Sequence, residues 1–199
     1  IITLVFAGCS GCNDTPVNPN SATTEQAEYP SQNHPTVAAI TKKIQADDDN
    51  AELYYQRAVA RLNLMDYTGA IADIDTALNI GPAQANYYLT KAEAFFNRDD
   101  LVRAINTLED GTSAFPTETR LHLLLSRYHI IMEQYQQSIK ALDEVLKVDV
   151  YNAEAYFLKG FVCKEIGDTN KAISNLRTAV ERDPRATEAY MQLGLLLAA

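Results

Sequence analysis

The sequence predicts an all-α fold in which pairs of helices stack into a solenoid. The first observation is a repeat, because residues of the same type recur at intervals of 34 from Ala51 onward. The second is that each interval holds two stretches of amphipathic helical spacing, and the third is a turn signal after the second stretch. Repeats of this length bury their apolar faces only against neighbouring repeats, so they stack into an elongated array.

Two columns of small residues recur within the repeat. The first column contains Ala58, Ala92, Ser126, Gly160 and Gly194, and the second contains Ala70, Ala104, Ser138 and Ala172. Small side chains are required where two helices cross closely, since a bulky Cβ substituent would push the axes more than about 8–10 Å apart. The columns therefore predict a close crossing between the first and second helices of every unit.

Aspartate and proline residues recur at the two ends of the second helices. Asp66, Asp100 and Asp168 precede second helices, where a carboxylate caps exposed backbone N–H groups. Pro82, Pro116 and Pro184 follow second helices and stop them, whereas Val150 stands in that column after the third unit. We predict first helices near 52–64, 86–97, 120–132, 154–166 and from 188, and second helices near 67–80, 101–114, 135–148 and 169–182.

One further column contains a side chain with an aromatic or imidazole ring in each repeat: Tyr54, Tyr88, His122, Tyr156 and Tyr190. Together, these columns resemble the tetratricopeptide repeat. The resemblance implies a right-handed α-solenoid of stacked helix-turn-helix units over residues 51–84, 85–118, 119–152 and 153–186. A truncated fifth unit at 187–199 implies further chain beyond it. An amphipathic segment at 36–48, with Val37, Ile40 and Ile44 on one face, is expected to cap the first unit.

The resemblance also implies a ligand groove lined by the first helices. Five columns of the family pattern map onto Glu52, Tyr55, Val59, Asn63, Asn86, Leu89, Glu93, Phe96, Asn97, Arg120, Leu123, Arg127, Glu154, Phe157, Phe161, Lys164 and Met191. The same columns also contain Leu62, Ile130, Ile131, Glu165, Glu188 and Leu195. The alternative for the apolar members is that they pack between helices without meeting a ligand.

The chemistry of these columns suits a protein or peptide partner. Aromatic and methionine side chains offer apolar anchors, while Arg120 and Arg127 form the main cationic spot, which suggests a peptide carrying an acidic group. The basic clamp of co-chaperone members of the family is missing from its expected columns, so that function does not carry over.

The first nine residues resemble the end of a bacterial lipoprotein signal. An apolar run leads into Phe6-Ala7-Gly8-Cys9, which fits a lipobox apart from phenylalanine at its first position. By resemblance Cys9 is acylated, and several acyl chains would anchor the protein durably. Residues 10–35 are rich in Pro, Asn, Ser and Thr and predict a disordered tether. The alternatives are an ordinary secretory signal or a frayed apolar end.

Other chemistries find little support in the sequence. A formal charge of −9 argues against nucleic-acid binding, which requires a basic surface. Cys9 and Cys12 match C-x-x-C, but no further metal ligands or flanking redox fold accompany them. His122, His129 and Cys163 fall in columns that are usually packed. No catalytic motif, cofactor, metal or small-molecule substrate is implied.

These observations predict a non-catalytic protein-interaction scaffold. The lipobox resemblance places it at the bacterial cell envelope, lipid-anchored in the outer membrane and facing the periplasm, where similar lipoproteins serve barrel-assembly and pilus-secretin systems. A cytoplasmic location is the alternative. A second functional interpretation is the docking or regulatory domain of a larger enzyme whose catalytic part lies beyond residue 199.

Overall fold

The computed structural model describes residues 30–198 of the chain. Within that span the secondary structure consists of a 3₁₀ helix at Pro30–Asn33 followed by ten α-helices. These are α1 (Pro35–Ala46), α2 (Ala51–Asn63), α3 (Tyr67–Ile80), α4 (Ala85–Phe96), α5 (Leu101–Ala114), α6 (Thr119–Ile131), α7 (Tyr135–Val148), α8 (Ala153–Glu165), α9 (Thr169–Arg182) and α10 (Thr187–Ala198). The predicted all-α fold class is confirmed.

Helices α2 to α9 form four consecutive pairs, in each of which a first (A) helix packs on a second (B) helix. The A helices are α2, α4, α6, α8 and α10, and the B helices are α3, α5, α7 and α9. Each B helix begins and ends at the residues predicted from the 34-residue register, and each A helix begins one residue before its predicted start. Contacts run mainly between neighbours in the chain, as a solenoid requires.

The small-residue columns lie at the crossings of A and B helices. Ala58 and Ala70 are fully buried in the first pair, and in the third pair Ser126 and Ser138 share a buried hydrogen bond of 2.9 Å. A Cβ atom at Gly160 would lie 2.7 Å from Cγ of Leu176 on α9. The helices of the fourth pair therefore approach as closely as they do because position 160 carries no side chain.

The predicted aspartate caps are present. Side chains of Asp66, Asp100 and Asp168 accept hydrogen bonds of 2.9–3.1 Å from the backbone N–H groups of Gly69, Arg103 and Lys171. Each bond satisfies an amide of the first helical turn that has no partner inside the helix. These caps explain why α3, α5 and α9 begin where the sequence predicts, whereas Gln134 before α7 makes no side-chain capping bond.

In each of the four pairs, the turn between the A helix and the B helix contains one residue in the left-handed backbone conformation, and the sequence pattern did not indicate it. The turn residue has a positive φ of 62° at Met65, 59° at Asp99, 56° at Glu133 and 82° at Gly167. These positions are also 34 residues apart, but only one of them is glycine. Residues with a Cβ atom are strained in this region, so three of the four turns carry a conformational cost.

Part of the segment predicted to be a disordered tether has regular structure. A disordered tether was expected through Pro35, whereas Pro30–Asn33 forms a 3₁₀ helix and α1 starts at Pro35. Ser31 is only 2% exposed, and its hydroxyl donates a 2.5 Å hydrogen bond to the Asp66 carboxylate. The composition of this segment gives no sign of a partner 35 residues away, which is why the expectation was wrong for residues 30–35.

A buried charge cluster ties α1, α2 and α3 together. The Asp73 carboxylate accepts hydrogen bonds from Arg57 at 2.7 Å and 2.9 Å and from Arg61 at 2.8 Å. Arg57 also donates to the Thr41 hydroxyl of α1 at 3.1 Å. Because both guanidinium groups share one buried carboxylate, the first repeat and its capping helix are held in one geometry.

The first and last of the described α-helices differ in how well their apolar side chains are covered. Val37 and Ile44 of α1 are buried against the first pair, as expected for a capping helix. On α10, by contrast, Leu195 and Leu197 are exposed, and a Cβ atom at Gly194 would meet nothing within 4 Å. Gly194 belongs to the column whose other members are buried by a B helix.

No helix among residues 30–198 is long and apolar enough to cross a membrane. The predicted lipidation site Cys9, the signal at 1–9 and most of the tether lie outside the described residues.

Candidate functional site

The A helices present most of the predicted groove residues to solvent. Exposed members are Glu52, Asn63, Glu93, Phe96, Asn97, Arg120, Arg127 and Met191. Half-buried members are Tyr55, Val59, Asn86, Leu89, Glu154, Phe157, Phe161 and Lys164. Both the exposed and the half-buried residues of this face can meet a ligand.

Leu123 is the exception. Its side chain is 9% exposed and packs with Leu142 and Val145 of α7 in a buried cluster. It therefore belongs to the core between the third and fourth pairs, and its assignment to the groove was wrong. The same column is exposed at Met191, on α10, the last of the described helices.

Aromatic contacts connect the A helices of the first three pairs. The rings of Tyr55 and Tyr87 are tilted at a centroid distance of 5.1 Å, and those of Phe96 and Tyr128 are stacked at 4.8 Å. Burial raises the pKa of Tyr128 to about 12, and the nearby Glu93 carboxylate adds to the rise. The Tyr128 hydroxyl is thus neutral at ordinary pH, and its ring forms a rigid floor beneath Phe96.

A depression of about 420 Å³ lies between α6, α8 and α10. It is lined by Arg127, Ile130, Ile131, Phe157, Leu158, Phe161, Glu188, Met191 and Gln192. Most of these side chains are apolar, and the charged groups come only from Arg127 and Glu188. A cavity of this size and character fits one or two large apolar side chains of a ligand.

A second depression of about 350 Å³ continues the first along the N-terminal ends of α8 and α10. The two share Arg127, Phe157 and Glu188 in their walls. They consequently form one elongated channel, which we call the α6–α10 groove. Its members include the predicted residues Arg127, Glu154, Phe157, Phe161 and Met191.

The cationic spot expected at Arg120 and Arg127 is neutralised within the protein. Arg127 donates two hydrogen bonds, of 2.7 Å and 3.0 Å, to one carboxylate oxygen of Glu154 on α8. Arg120 bonds Glu118 at 2.9 Å and the Asn86 side-chain oxygen at 3.1 Å. The guanidinium groups therefore bridge neighbouring A helices, and neither is an unpaired charge awaiting an acidic ligand.

Lys164 is engaged in a similar way. Its ammonium donates a 3.0 Å hydrogen bond to the Gln192 side chain of α10, lies 3.4 Å from a carboxylate oxygen of Glu165, and stands 5.2 Å from the Phe161 ring centre. These contacts fix the far wall of the α6–α10 groove. Gln192 and Leu158 were not predicted from the sequence because they lie outside the family's ligand columns and line the wall only through the relative position of α8 and α10.

The residues with catalytic potential are packed, as predicted. His122 is buried and its Nε2 lies 3.0 Å from the Pro116 carbonyl oxygen, while His129 Nδ1 lies 2.7 Å from the Gln134 side-chain oxygen. Cys163 is buried, and burial raises the pKa of its thiol. A raised thiol pKa lowers the thiolate fraction and hence the reactivity. Residues 30–198 contain no cluster of three or more side chains suited to a metal ion.

Comparison with known proteins agrees with this geometry. The family described as Tetratricopeptide repeat matches residues 153–185, which are α8, α9 and the turn after them. The crystal structure of MamA superposes with a TM-score of 0.69 at 18% identity, over 76% of this chain and 89% of that one. The fold is a tetratricopeptide-repeat solenoid.

Other tetratricopeptide-repeat comparisons extend the match. The crystal structure of YrrB, described as a TPR protein with an unusual peptide-binding site, gives a TM-score of 0.66 at 16% identity, over 78% of this chain and 80% of that one. The chicken (Gallus gallus) protein DnaJ homolog subfamily C member 3 is 27% identical over an alignment of 166 residues, and the match covers 75% of this chain and 33% of that protein. The chain thus spans about a third of the length of this curated relative.

Proposed function

We propose that this protein is a non-catalytic scaffold that binds partner proteins through the α6–α10 groove. The observation that carries the proposal is the apolar depression formed jointly by three successive A helices. Among its lining residues, Ile131 is 55% exposed to solvent and Met191 is 56% exposed. An apolar surface in a concave, partly preformed site favours a ligand that inserts apolar side chains.

A protein or peptide fits this groove better than a small metabolite. The second depression continues the first along α8 and α10, so the site is elongated, and it is open to solvent on one side. An extended or helical segment makes many contacts along such a channel and anchors one or two side chains in it. The peptide-binding site of YrrB supports this interpretation by likeness of fold.

The second part of the proposal is a lipid anchor at Cys9. It rests on the resemblance of Phe6-Ala7-Gly8-Cys9 to a lipobox and on the polar residues that follow. Acylation would hold the solenoid at a bacterial envelope membrane with its groove free for partners. Cys9 lies outside the described residues, so this part is argued from sequence alone.

Partner capture with groove variants tests the binding function. Phe161 and Met191 are the best positions, because both line the depression and neither belongs to the buried clusters. Phe157, in contrast, packs against two of those clusters, and truncating it would also loosen the fold. We expect Phe161→Ala with Met191→Ala to reduce the capture of native partners from the envelope about tenfold or more.

The matched control is Val102→Ala. Val102 lies on α5, a B helix, outside the groove, and is exposed by 59%. This variant should capture partners like the wild-type protein. Equal capture by all variants, with unchanged helicity, would show that the α6–α10 groove is not the binding surface.

A further inference from the structure

Within residues 30–198, each cationic side chain of the groove columns has a partner inside the protein. Arg127 is bonded to Glu154, Arg120 to Glu118 and Asn86, and Lys164 to Gln192. An incoming carboxylate would have to displace one of these bonds before pairing with the cation. The internal ion pairs therefore remove the advantage that an acidic ligand would otherwise have.

Three carboxylates of the groove columns, Glu52, Glu93 and Glu188, are in the opposite situation, and the last two lie nearer than Glu52 to the α6–α10 groove along the series of A helices. Within residues 30–198, no cation lies within ion-pair distance of Glu93 on α4 or of Glu188 on α10, and both side chains are exposed. Glu188 lies in the first turn of α10, at the partly positive end of the helix dipole. The dipole offers only about half a positive charge, so it does not cancel the carboxylate.

Glu93 and Glu188 each adjoin an apolar contact surface. Glu188 lines both depressions and stands at the point where they join. Glu93 lies one helical turn before Phe96, whose ring is stacked on Tyr128, and it is close enough to Tyr128 to affect that side chain's ionisation. A carboxylate beside an exposed aromatic ring is an arrangement that attracts a lysine or arginine side chain.

We propose that the α6–α10 groove selects a basic, amphipathic peptide segment. One large apolar residue occupies the depression, a lysine or arginine beside it pairs with Glu188, and a second basic residue reaches Glu93. This inference rests on the proposed binding function and specifies its ligand. It replaces the expectation of an acidic ligand, which assumed that Arg120 and Arg127 were unpaired.

The separation of the two carboxylate sites sets the spacing in the ligand. Neighbouring A helices from α4 to α8 contact one another in series. At about 8–10 Å per packed pair, Glu93 stands about 16–20 Å from the depression wall on α8. An extended chain advances about 3.3 Å per residue, so the second basic residue lies about five or six positions from the apolar anchor.

The test uses a phage library of random 12-residue peptides selected on the full chain. Peptides that bind the wild-type protein but not Phe161→Ala report on the groove. We expect them to be enriched in lysine or arginine next to a large apolar residue, with a second basic residue about six positions away. Replacing the basic residues of a selected peptide with glutamate should weaken its binding roughly tenfold.

Variants of the protein then test whether Glu93 and Glu188 pair with the basic residues of the peptide. Glu93→Gln and Glu188→Gln keep the side-chain shape and should each weaken a selected basic peptide about twofold to fivefold, in line with exposed ion pairs. Glu109→Gln is the matched control, because it removes the same charge from an exposed position on α5 outside the groove. It should leave the affinity unchanged, and added salt should narrow the difference between wild type and the two groove variants.

The outcomes separate this inference from the function on which it rests. Groove-dependent peptides that are acidic or uncharged, or basic peptides that bind Glu93→Gln and Glu188→Gln as tightly as wild type, overturn the basic-ligand inference and leave the groove intact. If no selected peptide depends on Phe161, the groove assignment fails and the inference fails with it.

Discussion

Gly167 offers the sharpest test of how the repeats are stabilised. It is the only glycine among the four positive-φ turn residues, with φ at 82°, and a Cβ atom placed there would meet nothing within 4 Å. Gly167→Ala therefore adds no steric contact and changes only backbone preference. A residue with a Cβ atom loses about 1–2 kcal/mol in this region, and its smaller unfolded-state entropy offsets roughly 0.4–1 kcal/mol.

The expected net effect of Gly167→Ala is a loss of about 1 kcal/mol in the free energy of unfolding. For a chain of this size that corresponds to a fall of about 2–4 °C in the melting temperature. Glu133, with φ at 56° in the equivalent turn, provides the reverse experiment. Glu133→Gly should raise stability by about 0.5–1 kcal/mol, because glycine adopts this conformation without strain.

Both variants can be compared with wild type by thermal and urea denaturation followed by circular dichroism. Amide hydrogen exchange then locates the change, which should centre on α8 and α9 for Gly167→Ala and on α6 and α7 for Glu133→Gly. An unchanged melting temperature for Gly167→Ala, or a lower one for Glu133→Gly, would refute the assignment of strain to these turns.

Other parts of the chain give three further predictions. Asp73→Asn should lower stability by about 3 kcal/mol in urea denaturation, since Arg57 and Arg61 lose the charge that they share; no loss would mean that the buried cluster is unimportant. Tyr128→Phe should match wild type at pH 8 but be more stable by about 1.4 kcal/mol at pH 11. The reason is that burial holds the pKa of Tyr128 in the folded protein at about 12, above its ordinary value of about 10. Between these two pH values the hydroxyl ionises in the unfolded chain but not in the folded one, so the free energy of unfolding of wild type falls as the pH rises from 10 toward 12, and that of the phenylalanine variant does not. Equal stability of the two proteins at pH 11 would contradict the burial of that hydroxyl. Cys9→Ser should move the protein from the membrane to the soluble fraction, and unchanged membrane association would argue against acylation of Cys9.

The regular features of the fold were predictable from the sequence because they are local. Asp66, Asp100 and Asp168 signal the starts of B helices through bonds to residues three positions away, and small residues mark the crossings wherever they recur. The register of 34 residues then propagates each boundary along the chain. Local capping and a strict period leave little freedom in where a helix begins.

Features that depend on distant partners were not predictable. Ser31 is ordered by a bond to Asp66, 35 residues away, and Arg127 is neutralised by Glu154, 27 residues away. Composition alone describes both residues as ordinary polar groups of a tether or a groove. The same limit explains Leu123, which is buried by contacts with α7 while Met191 in the same column is exposed.

The charge available to a ligand in the groove differs from the sequence-based expectation for the same reason. The predicted ligand columns place Arg120 and Arg127 at the centre of the groove. In the folded chain these arginines are paired with glutamates, whereas Glu93 and Glu188 are among the described carboxylates that have no cation within ion-pair distance. Ligand preference is a property of unpaired charges, so it follows from the pairing pattern more than from the composition of the surface.

Site-specific photo-crosslinking tests the central claim, that partners bind in the α6–α10 groove, most directly. A photoreactive amino acid would replace Ile131 or Met191 in the groove, or Val102 on the opposite helix layer, three positions of almost equal exposure at 55%, 56% and 59%. The account predicts that irradiation of cells that produce these variants joins partner proteins to the protein at positions 131 and 191 and not at 102. Crosslinks that form equally at 102, or only there, would contradict it.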